Sequence, residues 1–140
     1  MSGCNVCLTG KYATAGNGNT CAVIACTTPA YTGSAGSCTC AVGYEGAVVY
    51  ANGAATGCTA ITCTSTGYTG TPAQCTCTAG YYGTVTYTSG ANGVAQGCAV
   101  CGTGGYCAGG SSKTNCLAGY YSAATTATNI GTCQACAGNS

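Results

Sequence analysis

Hydrophobic and polar positions alternate over short stretches of the chain and nowhere fall at helical spacing. Gly83-Thr84-Val85-Thr86-Tyr87-Thr88 alternates and runs into a turn containing Asn92-Gly93, and Ala47-Val48-Val49-Tyr50 runs into Asn52-Gly53. Asn-Gly supplies the positive φ that tight hairpin turns require, so each stretch predicts a two-stranded β-ribbon. Isolated ribbons are marginal unless something pins them. No segment carries an apolar stripe with helix caps, and 25 glycines along the chain weaken any helix. No helix is predicted. The longest apolar run, Cys21-Ala22-Val23-Ile24-Ala25-Cys26, falls far short of the roughly 20 residues that cross a bilayer, so no membrane span is expected.

The pins are evident from composition. Leu, Ile and Val together number 13 of 140 residues and there is no Phe or Trp, which is too little large apolar surface to offset chain entropy. The 16 cysteines exceed a tenth of the chain, the level of a disulfide scaffold. Each bridge closing a loop of about 15 residues contributes roughly 3 kcal/mol, so seven or eight of them can stand in for a core. The expected fold is therefore small, disulfide-rich and β: an elongated tandem array of short disulfide-pinned β-hairpins with no helix. Disulfides persist in oxidising compartments, which makes the mature product extracellular. The opening Met1-Ser2-Gly3-Cys4 lacks the basic and apolar regions of a secretory leader, so a leader is expected to have been removed or to be missing from the sequence.

Charge removes most chemistry. The only ionised side chains are Lys11, Glu45 and Lys113, and there is no His. A single Glu forms neither a carboxylate pair nor a triad, so no enzyme is expected. Two lysines make no phosphate-binding patch, which excludes nucleic acid as a partner.

Self-similarity along the chain has a fixed offset. Cys26, Cys38 and Cys40 recur 37 residues later as Cys63, Cys75 and Cys77, and Cys58 recurs as Cys98. Tyr31-Thr32-Gly33 recurs as Tyr68-Thr69-Gly70, and Cys40-Ala41-Val42-Gly43-Tyr44-Glu45-Gly46 matches Cys77-Thr78-Ala79-Gly80-Tyr81-Tyr82-Gly83. Two looser copies flank this pair, opening at Cys7-Leu8-Thr9-Gly10-Lys11-Tyr12 and at Cys116-Leu117-Ala118-Gly119-Tyr120-Tyr121. Each copy closes on a cysteine pair: Cys21/Cys26, Cys58/Cys63, Cys98/Cys101 and Cys133/Cys136.

Equivalent cysteines in a repeat should pair equivalently, and one scheme fits all four copies. The long loops would be closed by Cys7 with Cys21, Cys40 with Cys58, Cys77 with Cys98 and Cys116 with Cys133. The connectors would be closed by Cys26 with Cys38, Cys63 with Cys75 and the shortened Cys101 with Cys107. Cys4 and Cys136 are left as the two halves of a missing connector pair. An intersubunit bond from Cys136 of one copy to Cys4 of the next would make a head-to-tail homopolymer. Continuation into a longer polypeptide and closure within one chain are the alternatives.

Residues Cys38 to Cys58 and Cys75 to Cys98 resemble the second half of extracellular EGF-like repeats, Cys-x-Cys-x-x-Gly-Tyr-x-Gly followed by a further Cys. The stretch Cys116 to Ser122, with Cys107 before it and Cys133-Gln134-Ala135-Cys136 after it, is similar to ephrin-receptor-like and TNF-receptor-like cysteine-rich repeats. The low charge and the Gly, Thr, Ala and Tyr content are similar to repeats of protist surface proteins, among them ciliate immobilisation antigens and the EGF-like proteins of algal flagellar hairs. The resemblance implies a partial cysteine-rich repeat over residues 1–26, EGF-like repeats over 27–63 and 64–101, and an ephrin-receptor-like repeat over 102–140. The first half of an EGF module is abbreviated, so its six-cysteine pairing does not transfer whole.

Other sites are weaker. Calcium needs clustered carboxylates, and the chain has only Glu45. Cys4-x-x-Cys7, Cys98-x-x-Cys101 and Cys133-x-x-Cys136 have zinc-like spacing, but they are closing elements of a repeat, and neither a metal nor another cofactor is expected. With 25 Thr and 9 Ser on a nearly uncharged chain, covalent O-linked glycans would keep the surface soluble, with Thr27, Thr28, Thr64, Ser65, Thr66, Thr69, Thr71, Thr125, Thr126 and Thr128 as candidate positions. No Asn-x-Ser/Thr sequon occurs, and Asn5-Val6-Cys7 fits only the rare cysteine form. Tyr44, Tyr81 and Tyr120 hold one repeat position and are expected to stack on the adjacent disulfide or the next module. Glu45 and Lys11 hold comparable places, so they either pair between modules or remain solvated.

The reading that follows is a structural subunit of an extracellular filament or surface appendage, assembled head-to-tail and O-glycosylated. The alternative is a secreted or anchored surface antigen or adhesion module. A soluble EGF-type ligand is disfavoured, because such ligands act through a charged receptor-binding module.

Overall fold

The structure, a computed structural model, describes residues 7–13 and 20–138. Cys4, one half of the expected intersubunit bond, lies outside them. The chain divides into two compact units, Met1–Ile61 with Thr88–Val94, and Thr62–Tyr87 with Ala95–Ser140.

Both units are built from two-stranded antiparallel ladders. In the first, Lys11–Ala13 pairs with Cys21–Val23, Tyr31–Ser34 with Ser37–Cys40, Tyr44–Glu45 with Thr59–Ala60, and Val49–Ala51 with Ala54–Thr56. In the second, Tyr68–Thr71 pairs with Gln74–Cys77, Tyr81–Tyr82 with Ala99–Val100, Thr86–Tyr87 with Ala95–Gln96, Gly105–Tyr106 with Thr114–Asn115, and Tyr120–Tyr121 with Gln134–Ala135. There is no α-helix among the described residues. A single 3-10 turn, Ile130–Thr132, departs from the expectation of no helix at all. Asn129 makes it possible by accepting the Gly131 N–H on Oδ1 at 2.9 Å, a local cap that a periodicity search over longer windows passes over.

Seven disulfides join the described cysteines: Cys7–Cys21, Cys26–Cys38, Cys40–Cys58, Cys63–Cys75, Cys77–Cys98, Cys101–Cys107 and Cys116–Cys133. They also form the interior. Among the described residues the buried apolar ones are Ile24, Ile61, Ala127 and the bridged Cys38, Cys75, Cys77, Cys101 and Cys107. Sulfur takes the place that Leu, Val and Phe fill in an ordinary domain. Bridges at this density fit an oxidising environment and a secreted or cell-surface protein.

The four copies share one backbone motif. Lys11, Tyr44, Tyr81 and Tyr120 each donate their N–H three residues back, to Leu8, Ala41, Thr78 and Leu117, at 2.9–3.0 Å. The glycine before each donor, Gly10, Gly43, Gly80 and Gly119, has φ between +82° and +86°, as the third position of a type II turn demands. The same glycine carbonyl accepts from the closing segment: from Ile24, Ile61, Cys101 and Cys136, at 2.8–2.9 Å.

The two long ribbons differ at their tips. Asn52-Gly53 forms the two-residue turn expected of it, with φ of +51° and +78°. Asn92-Gly93 does not. The second ribbon keeps only Thr86–Tyr87 and Ala95–Gln96 as strand, and residues 88–94 form a wider loop in which Thr88 Oγ1 accepts the Val94 N–H at 2.8 Å. Gly93 serves close packing there, since a Cβ would stand 2.7 Å from the Thr88 carbonyl oxygen and 3.0 Å from Ile61 Cδ1.

The connector hairpins turn on Ala35-Gly36 and Pro72-Ala73, so Ala73 takes φ +64° where its equivalent is a glycine at +80°. An alanine there is strained, by about 1 kcal/mol. Ala73→Gly should raise unfolding stability by about 0.5 kcal/mol after the extra entropy of glycine is subtracted, read as a higher denaturant midpoint at unchanged slope.

Candidate assembly surface and the tyrosine locks

Each middle repeat contains two hairpins, the connector and the long ribbon, and tyrosines lock them together. The Cys38 N–H, next to the Cys26–Cys38 bridge, donates to the Tyr50 hydroxyl at 2.7 Å, and 37 residues on the Cys75 N–H donates to the Tyr87 hydroxyl at 2.7 Å. The lock is reciprocal. Tyr31 of the connector accepts from the Cys58 N–H at 3.3 Å, and Tyr68 accepts from the Cys98 N–H at 3.2 Å. A short ribbon cannot satisfy the amide beside a disulfide with another strand, and a phenol reaching across does so. Tyr50 and Tyr87 drew no notice in the sequence as partners of the cysteines. Their recurrence at the same 37-residue offset was the available signal.

Tyr81 lies over Gly67 of its own connector, where a Cβ would stand 2.8 Å from the ring. Tyr44 and Tyr81 are half-buried and Tyr120 is exposed. Lys11 and Glu45 form no ion pair among the described residues. Lys113 instead donates to the Thr103 carbonyl at 2.7 Å.

Cys98, Cys101 and Cys133 are bonded to Cys77, Cys107 and Cys116, so the sulfurs with zinc-like spacing are bridged in this structure, and Cys136 alone of those described is free. No cluster of metal-ligating side chains occurs among the described residues. The ten candidate glycan positions, Thr27, Thr28, Thr64, Ser65, Thr66, Thr69, Thr71, Thr125, Thr126 and Thr128, are all exposed. The Thr64 hydroxyl is hydrogen-bonded to that of Thr62 and Thr128 Oγ1 accepts from Asn129 Nδ2, both at 3.2 Å. No helix of the described residues is long and apolar enough to cross a membrane.

Cys136 is exposed, and its place in the repeat differs from the one cysteine counting assigns. Counting aligns Cys101 and Cys136 with Cys26 and Cys63. The hydrogen bond to the turn glycine aligns them with Ile24 and Ile61, two residues earlier. The fourth repeat exposes apolar groups: Leu117, Tyr120, Tyr121 and Ile130. Leu117, Tyr120 and Ile130, with Tyr106 and Asn115, also line an open groove of 390 Å³. Comparison with protein-family models, with curated proteins and with solved structures gives no match.

Proposed function

We propose that this chain is the structural subunit of an extracellular filament or surface appendage, linked head-to-tail by a disulfide from Cys136 of one copy to Cys4 of the next and carrying O-linked glycans. The observation that carries the reading is the free, exposed Cys136 at the repeat position that in the third repeat, as Cys101, bonds to the following connector at Cys107. A heterologous contact that does not close on itself produces an open chain of subunits. Such a subunit has no catalytic role: its few ionisable groups are spread among turns and hairpins, and its pinned ribbons resist extension and proteolysis. Exposed hydroxyls at the ten candidate positions support glycan attachment in a chain with net charge +1.

The test is denaturing electrophoresis of material from the native source, with and without reductant. A ladder that collapses on reduction to one band heavier than the 13.3 kDa chain is the expected result, the collapse reporting the bond and the excess mass the glycans. A sharp 13.3 kDa band under both conditions would replace this reading with a secreted or anchored antigen or adhesion module.

A further inference from the structure

Repeats in this chain are covered at one end by residues of the repeat that follows. Within the first unit, Gly36 of the second repeat donates to the Ile24 carbonyl at 2.7 Å, and its own carbonyl leaves no room for a side chain on Gly10. The tip residue Gly53 lies on the Tyr12 ring. In the same unit, Gly90 accepts from Gly46 at 2.9 Å, and Gly93 packs on Ile61. Within the second unit the fourth repeat covers the third: Gly80 donates to the Cys107 carbonyl at 2.8 Å, and a Cβ on Gly80 would stand 3.0 Å from the Thr126 carbonyl oxygen.

Burial records this covering. The turn glycines Gly10, Gly43 and Gly80 are buried, and the closing residues Ile24, Ile61 and Cys101 are only 2%, 3% and 2% exposed. The fourth repeat makes the same turn and the same 2.8 Å bond from Cys136 to Gly119, yet both residues are exposed, and Tyr121 beside them is 45% exposed.

We propose that this face of the fourth repeat, around Gly119, Tyr121 and Cys136, is a docking surface for the first repeat of a second copy of the chain. The proposal rests on the head-to-tail reading and supplies its noncovalent interface. The occupant follows from what covers the face elsewhere: in each inner repeat it is another repeat of the same type. The first repeat, with its ladder Lys11–Ala13 and Cys21–Val23, is of that type, and Leu8, Thr9, Lys11 and Ala13 are exposed on it. Cys136 stands where two junctions bury an isoleucine and the third buries the bridged Cys101, so docking brings the free thiol into a buried junction.

Reductant cannot separate docking from covalent linkage, because it would also open the seven internal bridges. Substitution can. Cys4→Ser combined with Cys136→Ile removes both thiols and installs the residue found at Ile24 and Ile61, whereas Cys4→Ser combined with Cys136→Arg places an unpaired charge in the junction. Sedimentation velocity over a concentration series, on oxidised proteins whose intact mass confirms seven bridges, reads the outcome. The isoleucine variant should form dimers and longer species, and the arginine variant should associate about 100-fold more weakly. Equal association of the two variants would overturn the docking surface. So would two monomeric variants beside a wild type that forms a reducible ladder, a result that leaves the covalent head-to-tail reading standing. A wild type that forms neither ladder nor dimer would remove both, as would a longer native polypeptide whose own next repeat covers the face.

Discussion

Replacing Cys77 and Cys98 together by alanine should cost about 3 kcal/mol of unfolding stability, because their bond closes the longest loop, with a sequence separation of 21. The expected cost is large because little else holds that ribbon. Its ladder consists of Thr86–Tyr87 on Ala95–Gln96, and Cys77 is itself one of the few buried groups. Loss of the bridge therefore removes both a constraint on the unfolded chain and a piece of the interior. Denaturant unfolding of the oxidised protein should show a lower midpoint. A loss under about 1 kcal/mol would mean that packing around the ribbon, rather than the bridge, sustains the repeat.

Tyr50→Phe and Tyr87→Phe should each cost about 1–3 kcal/mol, since each leaves the N–H of a buried half-cystine, Cys38 or Cys75, without its acceptor. Tyr31→Phe and Tyr68→Phe should cost less, because their bonds, at 3.3 Å and 3.2 Å, lie at the long end of the hydrogen-bond range. Tyr50 and Tyr87 share no partner and belong to different units, so the double substitution should be additive within about 0.5 kcal/mol. Chemical denaturation of the single and double variants measures this. Losses of only a few tenths would mean that water replaces the phenols and that the hairpins of a repeat are joined by disulfides alone.

These two results concern one design. A chain with almost no large apolar residues gains order from bridges and from polar locks at the bridges, and both recur at the spacing of the repeat. That economy also accounts for the uncovered face of the fourth repeat. Each inner face is closed by Gly-rich turns of another repeat, which approach closely because they carry no side chains. A face without such a neighbour exposes Gly119 and Cys136, along with aromatic surface at Tyr120 and Tyr121.

Much of this was legible in the chain itself. The hairpins follow from short alternations bounded by glycine, and the structure bridges the same cysteine pairs that alignment of the four copies brings into register, since a repeated backbone places equivalent sulfurs at equivalent distances. Absence of helical periodicity left only the three-residue turn at Ile130 unanticipated, which depends on the single cap of Asn129. Asn92-Gly93 misled because its glycine answers to a distant neighbour, Ile61, rather than to the turn it sits in. Cys136 was aligned by counting cysteines, but the repeat is defined by which amide donates to the turn glycine, and that assigns it the place of Ile24 and Ile61. The sequence by itself thus determined the element type, the bridging pattern and the poverty of ionisable chemistry, all of which depend on residue identity and local spacing. Only the tertiary structure decided which equivalent positions are buried, which tyrosines lock the hairpins and which face is left uncovered. Those depend on groups 12 to 44 residues apart meeting in space, where glycine sets how closely two repeats approach.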